Sequence, residues 1–186
     1  MAKQTQDEQR GQPAQPSRRR FGRASVAGGV ILTLKSQSGM AGGVCKSPSA
    51  ALSGGLSSHQ PVKAPVCQGR GPEYWRTIGA AACGNGTTFG MVFRCNARLQ
   101  IYGRSLLLTM LSPQRFDPDR VGMYLAAAYL NAVNNRTSFL KVPAVYAIWN
   151  EWQATGGNAG GYYTPIAGSK PWNSRQIVSY LAGTMT

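Results

Sequence analysis

Apolar positions recur with a helical period in the second half of the chain. Val121, Tyr124, Leu125, Ala128, Tyr129, Ala132 and Val133 share one face over more than three turns. Upstream, Asp117-Pro118-Asp119 reads as the start of this helix. Asp117 can accept from the free N–H groups of the first turn, Pro118 suits the first helical position, and Asp119 puts negative charge near the positive end of the dipole. Phe116 and Val121 are spaced as a hydrophobic staple, and Asn134-Asn135 ends the run. A second helix begins near Pro143, with Val145, Ile148, Trp149 and Trp152 at i, i+3, i+4 and i+7, and stops at Gly156-Gly157. A third starts after Trp172, with Asn173 as cap, Gln176 completing a capping-box pair, Ile177, Tyr180 and Leu181 inward, and Gly183 at its end.

The first half patterns less regularly. Residues 42–70 are turn-rich and Ser-, Gly- and Pro-punctuated. A short helix is expected over 72–82, with Tyr74, Trp75 and Ile78 on its apolar side. Phe89, Met91 and Phe93 alternate between Thr87 and Cys95, which predicts a short strand, with helix as the alternative. Ser105 to Leu111 predicts a short buried helix, with strand as the alternative. The fold expected is mainly α: a small orthogonal or bundle-like helical domain with an irregular, disulfide-stapled N-terminal half. Residues 42–104 and 105–186 are expected to pack as one domain.

Charge changes the reading of the N-terminus. The chain carries 20 Lys+Arg against 6 Asp+Glu, a net +14, with only 14 % charged residues where an average domain has about 25 %. Seven of the cations and two of the acids lie in residues 1–41. There, Ser17, Arg18, Arg19 and Phe21 resemble the Ser-Arg-Arg-x-Phe motif of bacterial twin-arginine export signals. The 11 apolar-rich residues from Ala24 to Leu34 follow, then Lys35, then small residues at Gly39 and Ala41 suited to cleavage. That run is too short for a bilayer span, which needs about 20 residues, so no stable membrane span is expected. Residues 1–41 are therefore expected to be a cleaved export signal, with the twin-arginine machinery as a partner. The competing readings are a basic arm that binds nucleic acid or a membrane surface, and lipidation at Cys45.

Four cysteines follow the proposed cleavage site, an even number that suits an oxidising compartment. The sequential pairing, Cys45 with Cys67 and Cys83 with Cys95, is expected. No Cys-x-x-Cys pair occurs, and the single histidine, His59, is isolated in a turn-rich stretch, so neither metal nor cofactor is expected.

Two segments carry a second resemblance. Gly71-Pro72-Glu73-Tyr74-Trp75-Arg76-Thr77 resembles the Gly-Tyr-Trp-Lys-Asn/Thr-His motif of a group of largely uncharacterised secreted proteins. Leu125 to Ala132 is similar to the Leu-Ala-Ala-x-Leu-Asn-Ala helix that follows it there, and Leu106 to Pro113 fits the segment between. This chain departs in having Pro-Glu before Tyr74 and Ile78 where the histidine stands. The resemblance implies export and supplies no catalytic residue.

Few parts are available for catalysis. Gly156 to Gly161 lacks the Lys-Ser/Thr ending of a phosphate loop, and no nucleophile elbow is present. Glu73, Asp117, Asp119 and Glu151 are the only carboxylates after residue 41, and a small secreted hydrolase built on Glu151 and Asp119 is the alternative reading. Binding is better supplied. Trp149 and Trp152 fit the core, whereas Tyr162, Tyr163 and Trp172 near the glycine-rich loop, with Arg94, Arg98 and Arg104, form a candidate binding surface. The sequence thus points to a non-catalytic envelope or extracellular protein that self-associates or binds an anionic or glycan surface polymer. A basic nucleic-acid-binding protein is the third reading.

Overall fold

A computed structural model describes residues 45–52 and 67–186. The export motif at Ser17, Arg18, Arg19 and Phe21, and His59, lie outside the described residues. The fold is mainly α, as the sequence predicts. Its centre is α7 (Val121–Val133), which packs against α2 (Pro72–Ile78), α6 (Leu107–Met110), α8 (Val142–Ala154) and α9 (Ser174–Gly183). Ten of its residues are buried, including Val121, Leu125, Ala128 and Leu130, so it is enclosed on most sides rather than amphipathic. Val133, expected inside, is 44 % exposed at the last turn. The described residues all fall within one compact unit.

The helix α7 begins later than its sequence suggests. Pro118 and Asp119 lie in a turn, and Arg120, left-handed at φ 62°, precedes the first helical residue. Asp117 nevertheless caps it from within: Met123 N–H donates to Asp117 Oδ2 at 3.1 Å. The expectations for the other long helices hold. In α8, Val145, Ile148, Trp149 and Trp152 are fully buried. In α9, Asn173 and Gln176 form the reciprocal capping box, and Ile177, Tyr180 and Leu181 are inside. Two short strands, β1 (Tyr162–Tyr163) and β2 (Trp172–Asn173), pair antiparallel between α8 and α9, with Tyr163 opposite Trp172.

The first half departs more. The expected helix over 72–82 breaks at Gly79, whose φ of 67° ends α2 and opens α3 (Ala80–Cys83). Ile78 is left 39 % exposed by that break. The expected strand over 87–95 is the helix α4 (Phe89–Val92), capped by Thr88, whose hydroxyl accepts from Met91 N–H. Phe89 and Phe93 point inward together, their rings stacked 4.5 Å apart, while Met91 between them is 75 % exposed. Apolar spacing of four fits a helical turn, and the Phe residues join Tyr102, Trp149 and Trp152 in one aromatic core. Against α4 lies α5 (Gln100–Arg104), and the two cross at glycines: a Cβ on Gly90 would sit 2.7 Å from the Gly103 carbonyl oxygen. The expected helix over 105–111 is present as α6.

Cys45 and Cys67 are bridged across a separation of 22 residues, a loop closure worth about 3 kcal/mol in the chain-entropy model. The bridge joins the segment carrying α1 (Pro48–Leu52), which Tyr180 also holds by donating to the Lys46 carbonyl at 2.8 Å. The second expected bridge is not formed: Cys83 and Cys95 are free thiols. Cys83 belongs to α3, which packs on α6, whereas the Cys95 sulfur lies beside Gly103 of α5 and donates to the Phe93 carbonyl. Burial pushes both thiols up, Cys95 to about 11, so both stay protonated near neutrality.

Asp117 and Tyr102 form a buried polar pair at the base of α7. The Tyr102 hydroxyl lies 3.1 Å from the Phe116 carbonyl, 3.0 Å from Asp117 Oδ1 and 2.9 Å from Asn158 Oδ1. One phenolic proton faces three acceptors, a crowding that a proton on Asp117 relieves. Burial pushes the Asp117 carboxyl above its ordinary range, outweighing the backbone N–H groups of Met123, Gly122 and Val121 and the Tyr102 hydroxyl, which favour the anion. Burial, then the Asp117 charge, push Tyr102 upward too, and half-buried Asp119, paired with Arg175, adds a smaller push. The folded state thus holds the Asp117 proton more tightly than the unfolded chain does. Stability from this group is complete below the ordinary aspartate range and declines as pH rises through the raised pKa. Urea unfolding of the parent and Asp117→Asn across pH 3–7 should show the parent losing stability relative to the variant as pH rises. The difference should then level off at a constant offset from the altered hydrogen bonds. A parent that gains relative stability with pH would contradict the raised pKa.

Candidate binding groove

The helix α2 is short, and its placement comes from contacts at its start. Gly71 caps it in an extended conformation, and Pro72 occupies its first turn. Trp75, 2 % exposed, turns inward and donates its indole N–H to Asn131 Oδ1 at 3.2 Å. The same oxygen accepts from Arg70 N–H at 2.7 Å, and Asn131 Nδ2 donates to the Arg70 carbonyl at 2.9 Å. Asn131 lies on α7 and is 1 % exposed, so α2 and the strand-like approach to it are fixed to the central helix by three hydrogen bonds to one buried carboxamide.

With Trp75 inside, Tyr74 faces outward, its ring edge-on to Trp75 at 5.2 Å. The Arg70 and Arg136 guanidinium carbons lie 5.3 and 5.2 Å from the Tyr74 ring centre, and Arg136 is 5.5 Å from that of Trp75. Arg136 Nη2 also donates to the Tyr74 hydroxyl at 3.0 Å. Beside this cluster runs an open groove of about 500 Å³. One wall is α2, with Glu73, Tyr74 and Arg76, and the other is the start of α7, with Arg120 and Tyr124. Leu111, Pro113, Met123 and Met185 supply apolar lining. Arg76 reaches the Ser112 hydroxyl at 3.5 Å, and Arg120, left-handed at the start of α7, is exposed. Two cations, two phenols and an apolar floor against one carboxylate suit a ligand that is both flat-faced and negatively charged.

The surface expected from sequence is not brought together. Tyr162 is 40 % exposed, but Tyr163 is buried, as alternation on a strand requires of neighbours. Trp172 is partly buried, its ring 5.1 Å from Tyr180 and 6.2 Å from Tyr163, so it covers α9 rather than presenting a free face. Arg94, Arg98 and Arg104 are exposed, yet none lines the groove. Arg94 serves the core through its carbonyl, which accepts from Trp149 Nε1 and Gln153 Nε2, both at 2.8 Å. Trp149 and Trp152 are core residues, as expected.

The carboxylates of the hydrolase reading are engaged separately. Glu151 Oε1 accepts from Thr164 N–H at 3.0 Å and secures the chain leaving β1. Asp119 pairs with Arg175 at 3.7 Å, and neither acid lines the groove. Among the described residues no group of three or more Cys, His, Asp or Glu side chains is placed to hold a metal. Nor is any helix among them long and apolar enough to cross a membrane.

Sequence reasoning missed Arg120 and Tyr124 as groove-lining residues and Arg136 as the partner of Tyr74. Tyr124 carries a core signature, and Arg136 meets Tyr74 from 62 positions away. The available signal was the Tyr74-Trp75-Arg76 run, where an aromatic pair and a cation adjoin a glycine-proline helix start. No protein-family model, no curated protein and no solved structure matches the chain.

Proposed function

We propose that this protein is exported to the cell envelope or extracellular space. There it acts by non-catalytic binding of an anionic or glycan surface polymer in the groove between α2 and α7. The observation that carries the reading is the groove itself, where Arg76 and Arg120 stand beside Tyr74 and Tyr124 over an apolar floor. Sugar rings would lie on the phenols, and acidic substituents would meet the guanidinium forks. The Cys45–Cys67 bridge supports export, because such bonds persist in oxidising compartments. The Ser17-Arg18-Arg19-x-Phe21 pattern and the short apolar run after it support the twin-arginine route. That route carries folded proteins, and the burial of Trp75, Trp149 and Trp152 in this chain's core fits export after folding.

Two experiments test the reading. Fractionation of a tagged chain should recover a shortened, oxidised form outside the cytoplasm, and replacement of Arg18 and Arg19 by Lys should leave the full-length precursor inside. Normal export of the Lys variant would remove the twin-arginine route. Separately, the double variant Arg76→Ala, Arg120→Ala should lose about tenfold or more in affinity for an acidic polysaccharide, the scale of one or two charge-assisted contacts. Binding of the parent should also weaken with salt. Arg98→Ala, Arg104→Ala removes the same charge elsewhere and should bind like the parent. Equal losses in both double variants would place the effect in net charge, not in the groove.

A further inference from the structure

The Arg70–Tyr74–Arg136 cluster at the edge of the groove has a feature that packing does not account for. Two guanidinium groups converge on one phenol ring, at 5.3 and 5.2 Å. Like charges so placed repel, and among the described residues neither is paired with a carboxylate: the one ion pair there joins Asp119 to Arg175. Glu73, the nearest acid in sequence, lines the groove with Arg76 and makes no ion pair with either arginine. Arg70 Nε is buried and has no hydrogen-bond partner. A buried, charged N–H donor left open is costly and favours any ligand that brings it an acceptor.

The cluster is also held ready. Asn131 grips both main-chain polar groups of Arg70 with its side chain, and its own carbonyl accepts from Arg136 N–H at 2.9 Å. Arg136 in turn accepts from Gln68 N–H through its carbonyl at 2.9 Å. Both guanidinium stems therefore start from main chain fixed to one buried residue, so ordering them costs little when a ligand arrives.

We propose that Arg70 and Arg136, stacked on Tyr74, form a clamp for a phosphate group. A phosphate offers several oxygens and up to two negative charges to two forked donors, whereas one planar carboxylate satisfies a single fork and leaves the second cation unmatched. The inference rests on the binding reading above and names the acidic substituent: the polymer in the groove carries phosphate, and Tyr74 is shared between clamp and groove.

The test uses the full oxidised chain, labelled with 15N, and follows the arginine Nε–Hε resonances. Inorganic phosphate should shift the Arg70 signal with saturation, and acetate should need at least tenfold more. Arg136→Gln should weaken phosphate binding at least tenfold, while Arg98→Gln should leave it unchanged. Arg136 is half-exposed, so this variant avoids dependence on whether Arg70→Ala folds. A phosphate-bearing and a uronic-acid polysaccharide complete the set, and the first should bind more tightly and depend on Arg136. A non-saturating shift, or equal response to acetate, overturns the clamp. If the uronic-acid polymer binds undiminished in Arg136→Gln while phosphate does not saturate, the clamp fails and the groove reading stands. If phosphate saturates and neither polymer binds, the clamp stands and the groove reading fails.

Discussion

The carboxamide of Asn131 is the interaction on which the arrangement of this surface depends. It lies in α7, ten of whose thirteen residues are buried, where an unsatisfied amide would cost on the order of 1–3 kcal/mol per group. Its oxygen takes two donors and its nitrogen one acceptor, all from Arg70 and Trp75. Those bonds decide three things together. They set the height at which the chain enters α2, they force the Trp75 indole inward, and they leave Tyr74 on the opposite side of the turn. Hydrophobic burial alone would not choose among the rotations of a seven-residue helix with apolar residues on two faces. The polar bond supplies the register, and packing supplies the bulk of the energy.

The same division of labour runs through the N-terminal half. The helices α3, α4 and α6 have four residues each and α5 has five, lengths at which an isolated helix does not form in water. They persist because Phe89, Phe93, Tyr102 and Leu107 are buried against α7 and α8, each large side chain contributing about 1.5–3 kcal/mol. Such a half needs fewer covalent staples than its composition suggests. The Cys45–Cys67 bridge secures the peripheral segment, which has little core of its own, whereas Cys83 and Cys95 lie within packed structure and remain thiols.

The elements legible in the sequence are those whose signals are local and redundant. Around α8 and α9, apolar period, Pro143, the Asn173–Gln176 box and the closing glycines all agree, and the structure follows them. For α4 the signals conflict. Phe89, Met91 and Phe93 satisfy a period of two, yet only Phe89 and Phe93 have partners inside, and those partners come from other elements: Tyr102 of α5, Tyr129 of α7, and Tyr146 and Trp149 of α8. Nothing within nine residues can say that Met91 points to water. The Asp117 signal was half legible: the residue does cap α7, but from a buried turn, where Tyr102 donates to its other oxygen. The groove was not legible. The sequence puts Tyr74 on the apolar side of its helix, whereas the structure turns it outward, and Arg120 reads as a turn residue and Arg136 as a cation after a helix end. Their convergence is a product of α7 being central, which periodicity on its own presents as one more amphipathic helix.

Charge gains a different meaning from this arrangement. Thirteen cations follow residue 41, with four acids. Of those acids, Asp117 is spent on backbone N–H groups, Glu151 on Thr164, and Asp119 on Arg175. Glu73 alone faces the groove. The protein therefore has almost no internal means of neutralising its arginines, and it does not scatter them all in solvent either. It lays two of them on an aromatic ring, where the π-face offers a partial and weaker substitute for a counter-charge. An ion pair would have satisfied those guanidinium groups more fully and would also have closed them to any ligand. The Tyr74 side chain holds the cations in place, taking one Arg136 N–H on its hydroxyl while Arg70 Nε stays open. That choice of partner is the feature on which the proposed anion clamp rests.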